Sequence, residues 1–338
     1  MDLLRKSNLL YVAMILTIGL FSCSSDDEST GGGTPSETTT EEDEASIEQS
    51  LNNIESYATS LENSEMFKVM NDLIDEDDLT TKLLEGLIEE MEIEIPEEEG
   101  EIFQANYDTN KGKYTWNHAN EEWDISAHQH IVINFPSSST IQENDLTLTV
   151  SEYSETPSSL TGDDEHYFPT SLKANLLHHD EEVFYIDLTA DYNNILPSYI
   201  NFELFIKPIT VSMNYNNTND RDIFFSFSIE DMMGDQISME HNVTVNRNSG
   251  GEWSEDDIES ANGFLSINEV SYIYQANFLD FDIDEDTDAD GLNNALDISI
   301  EINGHKKADI FFETDDETQG ANPMVRFSDG TTKDLMEF

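Results

Sequence analysis

The chain has 338 residues, of which 73 are Asp or Glu and only 14 are Lys or Arg, for a formal net charge of −59. A surface this acidic repels nucleic acid and anionic lipid headgroups, so neither is an expected partner, and it attracts cations instead. The single cysteine, Cys23, excludes an intrachain disulfide, and the region after it has no cysteine nucleophile or thiolate metal ligand.

At the N-terminus Arg5 and Lys6 precede the apolar run 9–21 (LLYVAMILTIGLF). That run is too short to cross a hydrocarbon core of about 30 Å, which takes roughly 20 apolar residues. It has the length of the hydrophobic region of a secretory signal. It ends in Leu20-Phe21-Ser22-Cys23, followed at once by Ser24, Ser25, Asp26, Asp27 and Glu28. Leu20, Ser22 and Cys23 resemble a lipobox, and the five residues after Cys23 are similar to the acidic export tag of surface lipoproteins in the Bacteroidota. The resemblance implies that residues 1–22 are a removed signal peptide and that Cys23 is acylated. It also implies an outer-membrane, surface-exposed protein that meets the membrane through its lipid. Each buried methylene of such an anchor adds about 0.8 kcal/mol.

Residues 23–45 are Gly, Ser, Thr, Pro and acids without apolar periodicity, and are expected to form a flexible acidic tether. Helical spacing then governs 46–98. Ile47, Leu51, Ile54, Ala58 and Leu61 form one stripe, Met66, Phe67, Met70, Leu73 and Ile74 a second, and Leu83, Leu84, Leu87, Ile88 and Met91 a third. Two or three amphipathic helices are expected, with Ser46 and Asp78 as N-caps and Pro96 as a stop. From about residue 99 the apolar period falls to two. Strands are expected over 131–135, 146–150, 184–190, 200–206, 223–229, 243–245, 270–278, 296–302 and 310–312, with turns at 214–222, 246–251 and Asn303-Gly304. The predicted fold is α+β and mainly β: a short helical segment, then one β-rich domain over 99–338 built as a large antiparallel meander.

Gly112-Lys113-Tyr114-Thr115-Trp116-Asn117, Glu122-Trp123 and Ile133-Asn134-Phe135-Pro136 are similar to segments of a family of uncharacterised Bacteroidota lipoproteins. So are Phe168-Pro169-Thr170-Ser171-Leu172 and Phe327-Ser328-Asp329-Gly330. The resemblance implies the helix-then-sheet order and brings no reaction with it.

For chemistry the first candidate is 286–297. Calcium takes six to eight oxygens, and a twelve-position loop supplies them from positions 1, 3, 5, 7, 9 and 12 around a Gly at 6. Counting from Asp286 at position 1, the ligands are Asp286, Asp288, Asp290, the Leu292 carbonyl, Asn294 and Asp297, with Gly291 at the turn. The string resembles calcium loops of the DxDxDG kind, so calcium is the one expected cofactor. His128 and His130 would share a strand face that His178 and His179 could reach, as in some zinc sites. No Gly-x-Ser-x-Gly elbow or phosphate-cradling Gly loop is present. The expectation is a non-enzymatic binding or scaffold lipoprotein with no catalytic residue. The alternatives are a carrier of an apolar ligand in a curved sheet (Phe184, Phe202, Phe224, Tyr272 and Tyr274 inward), a calcium-dependent binding module, and a hydrolase working with paired carboxylates.

Overall fold

The computed structural model describes residues 39–62, 64–69, 77–91, 106–159, 165–193, 196–218, 221–245, 258–277, 289–314, 321–335 and 338. Among them the fold is α+β and mainly β, with sixteen strands. It divides into two compact units: a central one of Ser56–Asn216 with Phe227–Asp235, and a terminal one of Met1–Glu55, Asn217–Ser226 and Gln236–Phe338.

The first helix, α1 (Thr40–Glu62), begins six residues before the expected cap at Ser46. The cause is a capping box at its start. The Thr39 hydroxyl accepts the Glu42 N–H (3.3 Å), while the Thr39 N–H donates to the Glu42 carboxylate (2.9 Å). Glu41, Glu42 and Asp43 then place negative charge against the positive end of the helix dipole. The expected tether is therefore helix from Thr40 on, and residues 23–38 lie outside the described part.

In the terminal unit, Asp43, Ile47 and Ser50 of α1 are buried at the i, i+4, i+7 spacing of one helix face. They meet strands of the same unit. The Asp43 carboxylate pairs with Lys307 (3.4 Å), the Ser50 hydroxyl lies 3.4 Å from the Tyr272 hydroxyl, and Thr40 donates to Asp329 (2.7 Å). The strands run in chain order: β10 (Gln236–Val245), β11 (Ile258–Ile267), β12 (Val270–Asn277), β13 (Leu296–Ile302), β14 (His305–Thr314), β15 (Ala321–Phe327) and β16 (Thr332–Asp334). All are antiparallel to their neighbours. Along β13 the alternating Leu296, Ile298, Ile300 and Ile302 are buried, and the β13–β14 hairpin turns at Asn303-Gly304 with both φ positive (53° and 74°). That is the expected type I′ geometry.

In the central unit the strand order is β2-β1-β3-β4-β5-β6-β7-β8. These are β1 (Gly112–Asn117), β2 (Glu122–Ser126), β3 (Ile131–Phe135), β4 (Leu146–Ser159), β5 (Glu165–His178), β6 (Glu181–Asn193), β7 (Leu196–Ile206) and β8 (Ile209–Asn216), followed in the chain by β9 (Asp222–Asp231). The expected all-antiparallel meander has one exception here: β1 and β3 are parallel. The chain leaves β2 on one side of β1 and returns on the other, so 127–130 is a crossover. Helix α2 (Asp77–Glu90) starts one residue before the predicted cap Asp78. Its Leu83, with Met91 just beyond it, packs with Tyr114, Trp116, Trp123 and Ile133. The Trp123 indole N–H donates to the Leu83 carbonyl (3.2 Å), and the ring edges onto Trp116 at 5.3 Å. Further along, register sorts side chains by face. Leu172, Leu188, Phe202 and Met213 form one cross-strand row over β5–β8, and Ala174, Ile186, Leu204 and Val211 the next. The opposite face carries Lys173, Asp187, Glu203 and Ser212, with Lys173 bound to Asp187 at 2.7 Å.

Candidate functional site

The one group of three His, Cys, Asp or Glu side chains placed to hold a metal, among the described residues, is Asp145, His178 and His179 of the central unit. Three elements build it. Asp145 directly precedes β4; His178 ends β5; and His179 with Asp180 forms the two-residue turn into β6, both at positive φ (50° and 65°). Left-handed backbone is uncommon outside glycine, and His and Asp are among the side chains that tolerate it best. Pairing of Leu146 with His178 and the His179 N–H bond to the Asp145 carbonyl (2.9 Å) set the two loops side by side.

A third segment completes the surroundings. Ser64 caps a helical turn over 65–69 by accepting the Phe67 N–H (3.2 Å). Met66 and Val69 of that turn pack with Leu146, Leu176 and Val183. This anchors Glu65, whose carboxylate meets His178 Nδ1 at 3.0 Å and Lys207 at 3.2 Å. Lys207 also pairs with Glu181 at 2.6 Å. On the other side of the His178 ring, Nε2 lies 3.3 Å from Asp145 Oδ2, and His179 Nε2 lies 3.9 Å from the same oxygen. The two imidazoles stack with centroids 4.4 Å apart.

Asp145 is the buried member, its side chain 2% exposed against 19% for His178 and 70% for His179. Burial alone would raise its pKa, but the Ser137 hydroxyl and Ser137 N–H, each at 2.7 Å, outweigh burial and hold the carboxyl below its usual range. Glu65 is likewise lowered, chiefly by its bond to His178. Asp145 thus favours folding above the unfolded carboxylate value of about 3.9, and this support is lost as pH falls through the lower folded value. Ser137→Ala is expected to cost about 2 kcal/mol near neutral pH, as loss of a hydrogen bond to a charged group does. That difference from the wild type should shrink below about pH 4. Urea midpoints of both proteins across pH 2–7 measure it, and subtracting the two curves removes the general effect of neutralising so acidic a chain.

The Ser137 hydroxyl donates to Asp145 and not to a histidine, so this is no nucleophile–base pair. The expected pairing of His178 and His179 with His128 and His130 does not form this cluster. His128 and His130 sit in the 127–130 crossover instead of on a strand, with rings 5.8 Å apart, and His128 Nδ1 turns back to accept the His130 N–H (3.2 Å). Sequence alone does not point to Asp145, because no clean alternation marks β5, the strand that carries His178 to it.

Of the proposed calcium ligands, Asp286 and Asp288 lie outside the described residues. Asp290, Leu292 and Asn294 lie on the seven-residue helix α3 (Ala289–Ala295), and Asp297 is on β13 opposite Gln275. Gly291 is inside that helix, where an ion-wrapping loop has its sharp turn. The helix is tied down by Asn293, whose amide both donates to the Phe312 carbonyl and accepts the Phe312 N–H, each at 2.7 Å. The lipidation residue Cys23 and the tag residues Ser24, Ser25, Asp26, Asp27 and Glu28 also fall outside the described part. No protein-family model, curated protein or solved structure matches this chain.

Proposed function

We propose that this chain is a lipid-anchored outer-membrane lipoprotein, displayed at the cell surface, whose β-rich units bind or scaffold without catalysing a reaction. The observation that carries this is the placement of the sole cysteine: Cys23 follows an apolar run of signal-peptide length, with only Ser22 between, and stands directly before Ser-Ser-Asp-Asp-Glu. A thiol with no disulfide partner in the chain is chemically free to be acylated. No helix among the described residues is long and apolar enough to cross a membrane. The charge suits display in water: it keeps the units soluble and draws cations to them.

The specific support for the apolar-ligand alternative is the face of β5–β8, where Leu188, Phe202, Leu204 and Met213 are half-buried and adjacent. In the terminal unit the corresponding inward tyrosines, Tyr272 and Tyr274, are buried, which favours a filled scaffold there.

External protease on intact cells tests the display. The protein should be cleaved while the outer membrane is unbroken, and replacing Asp26, Asp27 and Glu28 with Ala should leave it anchored but protected. A wild type that resists until the outer membrane is opened would place it facing the periplasm.

A further inference from the structure

We infer that Asp145, His178 and His179 bind a divalent ion of the zinc class, with Glu65 as the positioning residue. Two imidazoles and one carboxylate suit zinc and its first-row neighbours, whereas calcium and magnesium take oxygen donors. A tetrahedral ion with bonds of about 2.0–2.1 Å spaces its ligand atoms about 3.3 Å apart. The Asp145 Oδ2–His178 Nε2 separation is 3.3 Å, and Oδ2–His179 Nε2 is 3.9 Å. All three ligand atoms lie within 4.8 Å of one another. His179, the outermost ligand, needs only a small swing of an exposed ring to close the set.

The supporting bonds point the same way. A histidine that ligates through one nitrogen commonly donates the other N–H to a carboxylate, which fixes the tautomer and raises the basicity of the ligating atom. Glu65 Oε1 sits 3.0 Å from His178 Nδ1, so a proton held there leaves the Nε2 lone pair aimed at Asp145 and His179. Lys207 holds Glu65 in turn, and Ser137 fixes the Asp145 carboxylate. Of the three side chains His179 is the most exposed, so the cluster is reached from solvent on the His179 side. The competing arrangement is His178 hydrogen-bonded between Glu65 and Asp145 with no ion.

The test is zinc uptake by the whole chain, stripped by chelator, its Cys23 thiol blocked by acylation or iodoacetamide so that it cannot take metal. Excess magnesium occupies the general acidic surface. The expected result is one zinc per chain, released on acidification as protons compete for the imidazoles. His179→Asn should abolish this uptake while keeping the fold, because Asn also tolerates positive φ and the side chain is exposed. His178→Gln should abolish it too. Glu65→Gln removes no ligand and should weaken binding about 10–100-fold. Absence of stoichiometric uptake, or uptake undiminished in His179→Asn, overturns the site and leaves His178 as a hydrogen-bonding link between Glu65 and Asp145. Affinity unchanged in Glu65→Gln overturns the positioning role. None of these outcomes depends on whether Cys23 carries a lipid.

Discussion

Gly263→Val should be among the most damaging single substitutions in the terminal unit, lowering its stability by about 3 kcal/mol or more. Gly263 lies in mid-strand on β11, opposite His241 of β10 and Tyr274 of β12. A Cβ built there would meet the Glu240 carbonyl oxygen at 2.0 Å and the Tyr274 hydroxyl at 2.9 Å. The oxygen belongs to the neighbouring strand's backbone, so it cannot withdraw without breaking the β10–β11 ladder. The tyrosine is equally constrained. Its hydroxyl is hydrogen-bonded to His241 Nδ1, while His241 Nε2 faces the Met239 sulfur at 3.2 Å. Burial pushes the Tyr274 phenol up and the His241 imidazole down, so both are neutral near pH 7 and the bond is a neutral one. Gly304→Ala, in the same unit, is the control. It has open space around it but φ of +74°, so its cost is conformational and should be only about 1 kcal/mol. Urea midpoints at constant slope compare the two. A Gly263→Val protein as stable as the control would mean that β11 does not pack against β10 and Tyr274 as described.

The same glycine shows where the sequence misleads. Ser260-Ala261-Asn262-Gly263 has turn composition, and no strand was expected over 258–267, yet β11 runs straight through it. The Gly there serves a close approach and not a turn. β5 was hidden for a related reason. Pro169 interrupts its pattern, and the structure absorbs it at a register shift beside Ser154 and Glu155 of β4, where the ladder bond that proline lacks is not needed. The apolar pattern marks β3 and β13 cleanly, and β13 has one face fully buried: the ends of both strands and the Asn303-Gly304 turn fall where the pattern places them. The helix start at Thr39 was legible as well, in the Thr-x-x-Glu spacing, but was lost within an acidic stretch read as tether.

The candidate metal centre was half visible. His178 and His179 stand out as an adjacent pair of imidazoles. The approach of Asp145 depends on β4 and β5 pairing so that Leu146 opposes His178, and that of Glu65 on a helical turn that brings it to His178, 113 positions away in sequence. Neither relation is periodic in the chain. The calcium motif shows the opposite case, in which spacing alone suggested a loop and tertiary bonds from Asn293 to Phe312 hold Gly291 in a helix.

The largest expected effect of any substitution belongs to Cys23. It is the chain's only thiol, so no other residue can accept the thioether that lipidation requires. A single acyl chain holds a protein only marginally, and the several on a lipoprotein cysteine make the anchor firm, so removing the sulfur should remove membrane attachment altogether. Cells making the wild type or Cys23→Ser, grown with radiolabelled palmitate and then fractionated, give the most direct measurement. The wild type should carry label and sediment with the membranes, and Cys23→Ser should carry none and leave the membrane fraction. A Cys23→Ser protein that keeps both its label and its membrane association would contradict the lipid anchor.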